Sequence, residues 1–166
     1  LERRVDEPEP PTDVDERMLP RAVRAELRSL PKELATLVSG HLIAAAQLVD
    51  EDAQLALKHA HAARRRAARL PVVREATAEA AYAAGDWRTA LGEYRALHRM
   101  TGQADYLPVM ADCERALQRP REALTLAREL AASHAAPDVK IEMLLVESGA
   151  RADLGQTQEL SLIHIS

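Results

Sequence analysis

The chain is 166 residues long, carries 22 basic against 26 acidic residues, and contains one cysteine, Cys113. Those numbers fit a single-domain length and exclude an internal disulfide framework or a four-cysteine zinc site, and they leave no net positive field of the kind that nucleic-acid binders show. Alanine fills 32 positions and aromatics only four (Tyr82, Trp87, Tyr94 and Tyr106), which favours helices over sandwiches, barrels and most α/β enzymes. Of the basic residues 19 are Arg and 3 are Lys, a bias expected of a GC-rich bacterial source. No apolar run approaches a membrane span; the longest candidate, Leu42 to Val49, contains Gln47. A cytoplasmic location is the expectation.

Residues 1–19 hold seven acids (Glu2, Asp6, Glu7, Glu9, Asp13, Asp15 and Glu16) together with Pro8, Pro10 and Pro11. Such a segment buries too little apolar surface to offset its ordering entropy, so it is expected to be a disordered tail. From Pro20 the pattern becomes amphipathic. Helices are predicted from Pro20 to about Leu30, from Pro31 to about Asp50, and from there to about Arg69, with Asp50, Glu51 and Asp52 favouring the third start. Further helices are predicted over Val72–Ala84, Trp87–Met100, Asp105–Leu117, Pro120–Ser133 and Asp138–Leu154. Pro108 is tolerated because it falls in a first helical turn. Connections of two to five residues make successive helices antiparallel neighbours.

A repeat emerges from the small residues. Ala56, Ala90 and Ala123 stand 34 and 33 positions apart, and each has apolar companions four and seven positions on: Ala60 and Ala63, Tyr94 and Leu97, Ala127 and Leu130. Five positions before each lies an inter-helix turn, at Glu51, Gly85 and Gln118, and a further turn is predicted at Gly155. Small residues at this spacing allow close helix contact, and Gly85 suits the positive φ at a helix C-terminus.

On these residues the chain resembles a tetratricopeptide-repeat protein. The sharpest unit runs from Pro71 to about Gly102, with Ala78, Gly85-Asp86-Trp87, Ala90-Leu91 and Tyr94 at the family's positions. Arg74 and Ala81 depart from it, standing where a large apolar residue and an aromatic are usual. The strings Arg24-Ala-Glu-Leu-Arg-Ser-Leu-Pro-Lys32, Tyr106-Leu-Pro-Val-Met-Ala-Asp-Cys-Glu-Arg115 and Glu147-Ser-Gly-Ala-Arg-Ala-Asp-Leu-Gly155 resemble an uncharacterised group of actinobacterial repeat proteins. The resemblance implies an all-α solenoid of stacked antiparallel helical hairpins over residues 20–160, cut short at its C-terminal end. Residues 161–166, Ser161-Leu-Ile-His-Ile-Ser166, resemble a translated sequencing-adapter read-through and are expected to be a non-native tail. Ile141, Leu144, Leu145 and Val146 would then lack a partner helix.

No phosphate loop, dinucleotide fingerprint, zinc-protease motif or nucleophile elbow is present, so no catalysis and no cofactor are expected. His59 and His61 lie about 200° apart on a helix and cannot share a ligand face; with His41 they are expected to be solvated or edge histidines. Cys113, beside Ala111 and Ala116, is expected to be a small buried hydrophobe. If the family geometry holds, a concave surface offers Glu75, Glu79 and Tyr82 from one unit and Asp105, Asp112 and Arg115 from the next. Four carboxylates against one Arg suit a protein or peptide segment of basic character, making the chain a protein-interaction scaffold. The alternative is an RNA- or acidic-ligand-binding module built on Lys58, Arg64, Arg65, Arg66 and Arg69. Against it, no aromatic interleaves with the cluster, and arginines in a last turn complement the helix dipole. A solvated basic face is the plainer expectation, and attraction to the acidic tail a third.

Overall fold

The structure, a computed structural model, describes residues 3–165, with side chains through 163. It is all-α. Eight helices are described: α1 (Arg21–Leu27), α2 (Lys32–Leu48), α3 (Ala53–Ala67), α4 (Pro71–Ala83), α5 (Trp87–Thr101), α6 (Leu107–Ala116), α7 (Pro120–Ala131) and α8 (Pro137–Ile165). Single 3-10 turns cover Glu16–Met18 and Ala104–Tyr106. The sequential packing of helix on helix is that of a helical-repeat fold.

The helix boundaries follow from local chemistry that recurs along the chain. Asp52 caps α3 by accepting the Leu55 N–H at 3.1 Å, and 34 positions later Asp86 accepts the Thr89 N–H at 3.2 Å at the start of α5. An aspartate in this position satisfies a donor that has no partner inside the helix. The helix ends repeat as well. After α4 the Asp86 N–H bonds the Ala81 carbonyl at 2.9 Å, and after α6 the Arg119 N–H bonds the Glu114 carbonyl at 2.8 Å. Each of these closures requires a left-handed residue, Gly85 at φ 74° in the first and Gln118 at φ 62° in the second. The turn at Glu51 closes differently, by the Asp52 N–H to the Leu48 carbonyl at 2.7 Å.

Contacts divide the chain into two compact units, one ending at Glu93 and the other beginning at Tyr94. In the first, α2 packs on α3 and α3 on α4 around Leu27, Val38, Leu42, Ile43 and Val73. Ala56, Ala60 and Ala63 have no exposed surface at all, as the repeat requires of residues where helices touch. The stretch 3–19 lies against this unit. Pro10 and Val14 approach α2 at Gly40, where an added Cβ would meet the Val14 side chain at 3.2 Å, and Leu19 enters the core. Residues 1 and 2 of the expected disordered tail fall outside the described residues.

In the second unit α6, α7 and α8 pack on one another. Met110, Cys113, Ala123, Ala127, Leu130, Val139 and Met143 are buried. Tyr94 and Leu97 are buried too, so the companions of Ala90 face inward along with it. Pro108 occupies the first turn of α6. One expectation is overturned: α8 runs straight through Gly155, where a turn was predicted. Gly155 is helical with no positive φ, so the backbone ladder continues through it, and Leu160, Leu162 and Ile163 beyond it stay exposed. Ile141, Leu144 and Leu145 are well exposed on α8. Ser166 of the expected non-native tail lies outside the described residues, and 161–165 continue the helix.

Candidate functional site

The basic cluster of α3 is built by the last two turns of that helix. Arg66 and Arg65 both reach the carboxylate of Glu7, at 2.7 and 3.2 Å. Glu7 is buried although it belongs to the acidic N-terminal stretch, and the Arg66 side chain is only 5% exposed. Burial raises the Glu7 pKa, but the hydrogen bond and charge of Arg66, with the charge of Arg65, outweigh this and hold it below the ordinary range. Arg64 turns elsewhere and donates to Glu93 at 2.6 Å. Arg69 is exposed. The expectation of a simply solvated basic face therefore fails for Arg65 and Arg66. Their charges are met by a residue almost sixty positions away, a distance no local pattern can report.

Buried polar pairs recur between successive helices. His41 on α2 meets His59 on α3, with Nδ1 to Nδ1 at 3.0 Å. Arg74 on α4 donates to Glu93 on α5 at 3.1 Å, and Arg95 on α5 donates to Glu114 on α6 at 2.5 Å. The first two pairs are related by the repeat, His41 to Arg74 by 33 positions and His59 to Glu93 by 34, whereas Arg95–Glu114 joins the next pair of neighbouring helices. Arg74, a departure from the tetratricopeptide pattern, is thereby explained. Its guanidinium also donates to the Ala68 carbonyl at 2.8 Å and joins Arg64 on the buried carboxylate of Glu93.

The histidines correct a sequence expectation. His41 is fully buried and His59 nearly so, whereas His61, two positions on, is exposed. Burial, then the charges of His59 and Arg66, push the His41 pKa down to about 4. Burial lowers His59 as well. Both rings are therefore neutral near pH 7, one donating to the other. Among the described residues, no three His, Cys, Asp or Glu side chains come together as a metal-ligating group. Cys113 is buried, and its thiol is pushed up to about 12 by burial and by Asp112 and Glu114, which suppresses the nucleophilic thiolate.

On α4 the face at i, i+4 and i+7 carries Glu75, Glu79 and Tyr82. Burial and the charge of Glu26 raise the Glu75 pKa; partial desolvation and the charge of Glu75 raise that of Glu79. Neither carboxylate has an ion-pair or hydrogen-bond partner among the described residues. Tyr82 stands edge-on to Trp87, with ring centroids 5.2 Å apart. Glu26 caps α4 by accepting the Val72 N–H at 3.2 Å, which adds a third carboxylate to the same neighbourhood.

The remaining predicted site residues belong to the second unit. Arg115 is engaged by Asp153 at 2.8 Å and by Asp112 at 3.8 Å, so its charge is largely spent within α6 and α8. Asp105 is exposed in the 3-10 turn before α6. Sequence reasoning weighed attraction between the basic cluster and the acidic tail without singling out Glu7, and it missed Glu93 and Glu114. For Glu93 a signal existed: it stands three positions after Ala90, as His59 stands three after Ala56, on the face the repeat turns inward. Glu7 carried none, being one acid among seven in a segment without periodicity. None of the helices among the described residues is long and apolar enough to cross a membrane. No known protein family, no curated protein and no solved structure matches this chain.

Proposed function

We propose that this protein is a non-catalytic helical scaffold of the tetratricopeptide type, which holds a protein or peptide segment of basic character on the α4 face of Glu75, Glu79 and Tyr82. The observation that carries the reading is the pair of unneutralised carboxylates. Four arginines of the same unit have found carboxylates: Arg64 and Arg74 share Glu93, and Arg65 and Arg66 share Glu7. Glu75 and Glu79 carry raised pKa values and no counter-charge among the described residues. A lysine or arginine from a partner would supply that charge and lay its stem along the Tyr82 ring. In the second unit, taken by itself, Asp105 is exposed, whereas Asp112 and Arg115 are held by contacts within that unit.

Trp87, the single tryptophan, stands against Tyr82 and reports on this face. Titration with a lysine- and arginine-rich peptide is expected to give a saturable change in its emission, weakened by salt. The double variant Glu75→Lys/Glu79→Lys should abolish it while leaving far-UV circular dichroism unchanged. An unaltered response in that variant, or none in the wild type across a set of basic peptides, removes the reading.

A further inference from the structure

We propose that the Arg65–Arg66 clamp on α3 is a docking site for an extended, acidic, proline-flanked segment of a partner protein, and that the chain's own N-terminal segment occupies it in cis. This rests on a different face from the reading above and stands independently of it. Between residues 3 and 13 Glu7 alone is buried; Val5, Asp6 and Glu9 are exposed, and Pro8 and Pro10 are half-buried. A single charged anchor inserted between two cations, with largely exposed neighbours, is the geometry of a docked peptide; the chain joins the core only further on, at Val14 and Leu19.

The walls fit that ligand class. Lys58, His61 and Arg64 on α3 line a cleft of about 350 Å³ against Asp6, Glu7 and Pro8. Two guanidinium groups converging on one carboxylate give short, charge-assisted bonds with directional selectivity. Pro8, Pro10 and Pro11 hold the segment extended, so an equivalent segment from another molecule loses little conformational freedom on docking. The same clamp is a poor track for nucleic acid. Arg64 is bound to Glu93, which leaves two guanidinium groups converging on one point, whereas a phosphate backbone needs a row of accessible cations. Tethering makes the N-terminal segment a strong competitor, at an effective concentration on the order of millimolar. The site is therefore masked until that segment is drawn away.

The test uses the full chain and a fluorescein-labelled peptide with the sequence of residues 4–13, followed by anisotropy. Glu7→Lys sets a third cation against Arg65 and Arg66 and expels the cis segment. It is expected to bind the peptide about tenfold tighter than the wild type. Adding Arg66→Gln should erase that gain, and so should a peptide with glutamine in place of its anchoring glutamate. Glu7→Gln, a milder change, should move affinity in the same direction by less, and it decides the matter if Glu7→Lys loses helical circular dichroism. Equal affinity in wild type and both Glu7 variants overturns the proposal. So does a gain that survives Arg66→Gln, or tighter binding of a uridine oligonucleotide than of the peptide.

Discussion

Two charged faces of the first unit invite comparison, the arginines of α3 and the glutamates of α4. In the sequence each is a cluster of like charge, the arginines consecutive and the glutamates four positions apart. In the fold they part. Arg64, Arg65 and Arg66 each meet a carboxylate from a distant stretch of chain, while Glu75 and Glu79 meet no cation among the described residues. On α3 the fold itself supplies the counter-ions, whereas on α4 it supplies none among the described residues. Like charge in the sequence does not report whether its counter-ion comes from elsewhere in the chain.

Removing a counter-ion from the paired face should have the largest effect. Glu93→Gln leaves Arg64 and Arg74 to face each other in a half-buried site without their shared carboxylate. A loss of about 3 kcal/mol is expected in urea unfolding, since breaking a buried pair strands a desolvated charge. A loss under about 1 kcal/mol would mean that the arginines turn to solvent and that the pairing is ornamental.

Acid should act on the two faces in opposite senses. His41 is neutral in the fold down to about pH 4, whereas an unfolded histidine binds its proton near 6.5. The unfolded state therefore holds more protons across that window, and stability falls as the pH is lowered through it. Between pH 7 and pH 5 the loss from His41 is about 2 kcal/mol. Glu7, lowered by Arg66, keeps its contribution above the unfolded carboxylate value and loses it only as pH falls toward its folded value. Glu75 and Glu79 are raised, so the folded state takes up their protons first and acid relieves repulsion there. Urea unfolding of His41→Gln at both pH values should show a smaller pH-dependent loss than the wild type. An unchanged loss would assign the acid sensitivity to other groups.

The smallest effect belongs to the unpaired face. Glu75→Gln/Glu79→Gln removes a like-charge pair at i, i+4 and should raise stability by about 0.5 kcal/mol at pH 7. Thermal melting measures it. A destabilised double variant would show that these carboxylates have structural partners after all, which would erase the contrast with α3.

Much of the architecture was legible without coordinates. Alanine content, proline positions and the spacing of Ala56, Ala90 and Ala123 located all eight helices, seven of them to within a few residues at both ends, while α8 runs eleven residues past its expected end. The turns at Gly85 and Gln118 also lay where the repeat put them. Gly155 misled because glycine permits a left-handed turn without requiring one: Gly85 takes the positive φ and Gly155 stays helical. The small residues and their companions could be read because each faces inward at a fixed offset. The charged residues could not, because charge says nothing of direction until its partner is known.

By itself, then, the sequence determined what is local: helix, cap, turn and inward face, all set by hydrogen bonds and packing within one repeat length. Only the tertiary structure decided the charge pairing, because Glu7 reaches Arg66, and Arg64 reaches Glu93 across 29 positions, through the packing of separate elements. It also decided that His41 and His59 are buried partners. Coulomb attraction is long-ranged and non-specific in sequence, and the fold alone chooses which opposite charge comes within 3 Å.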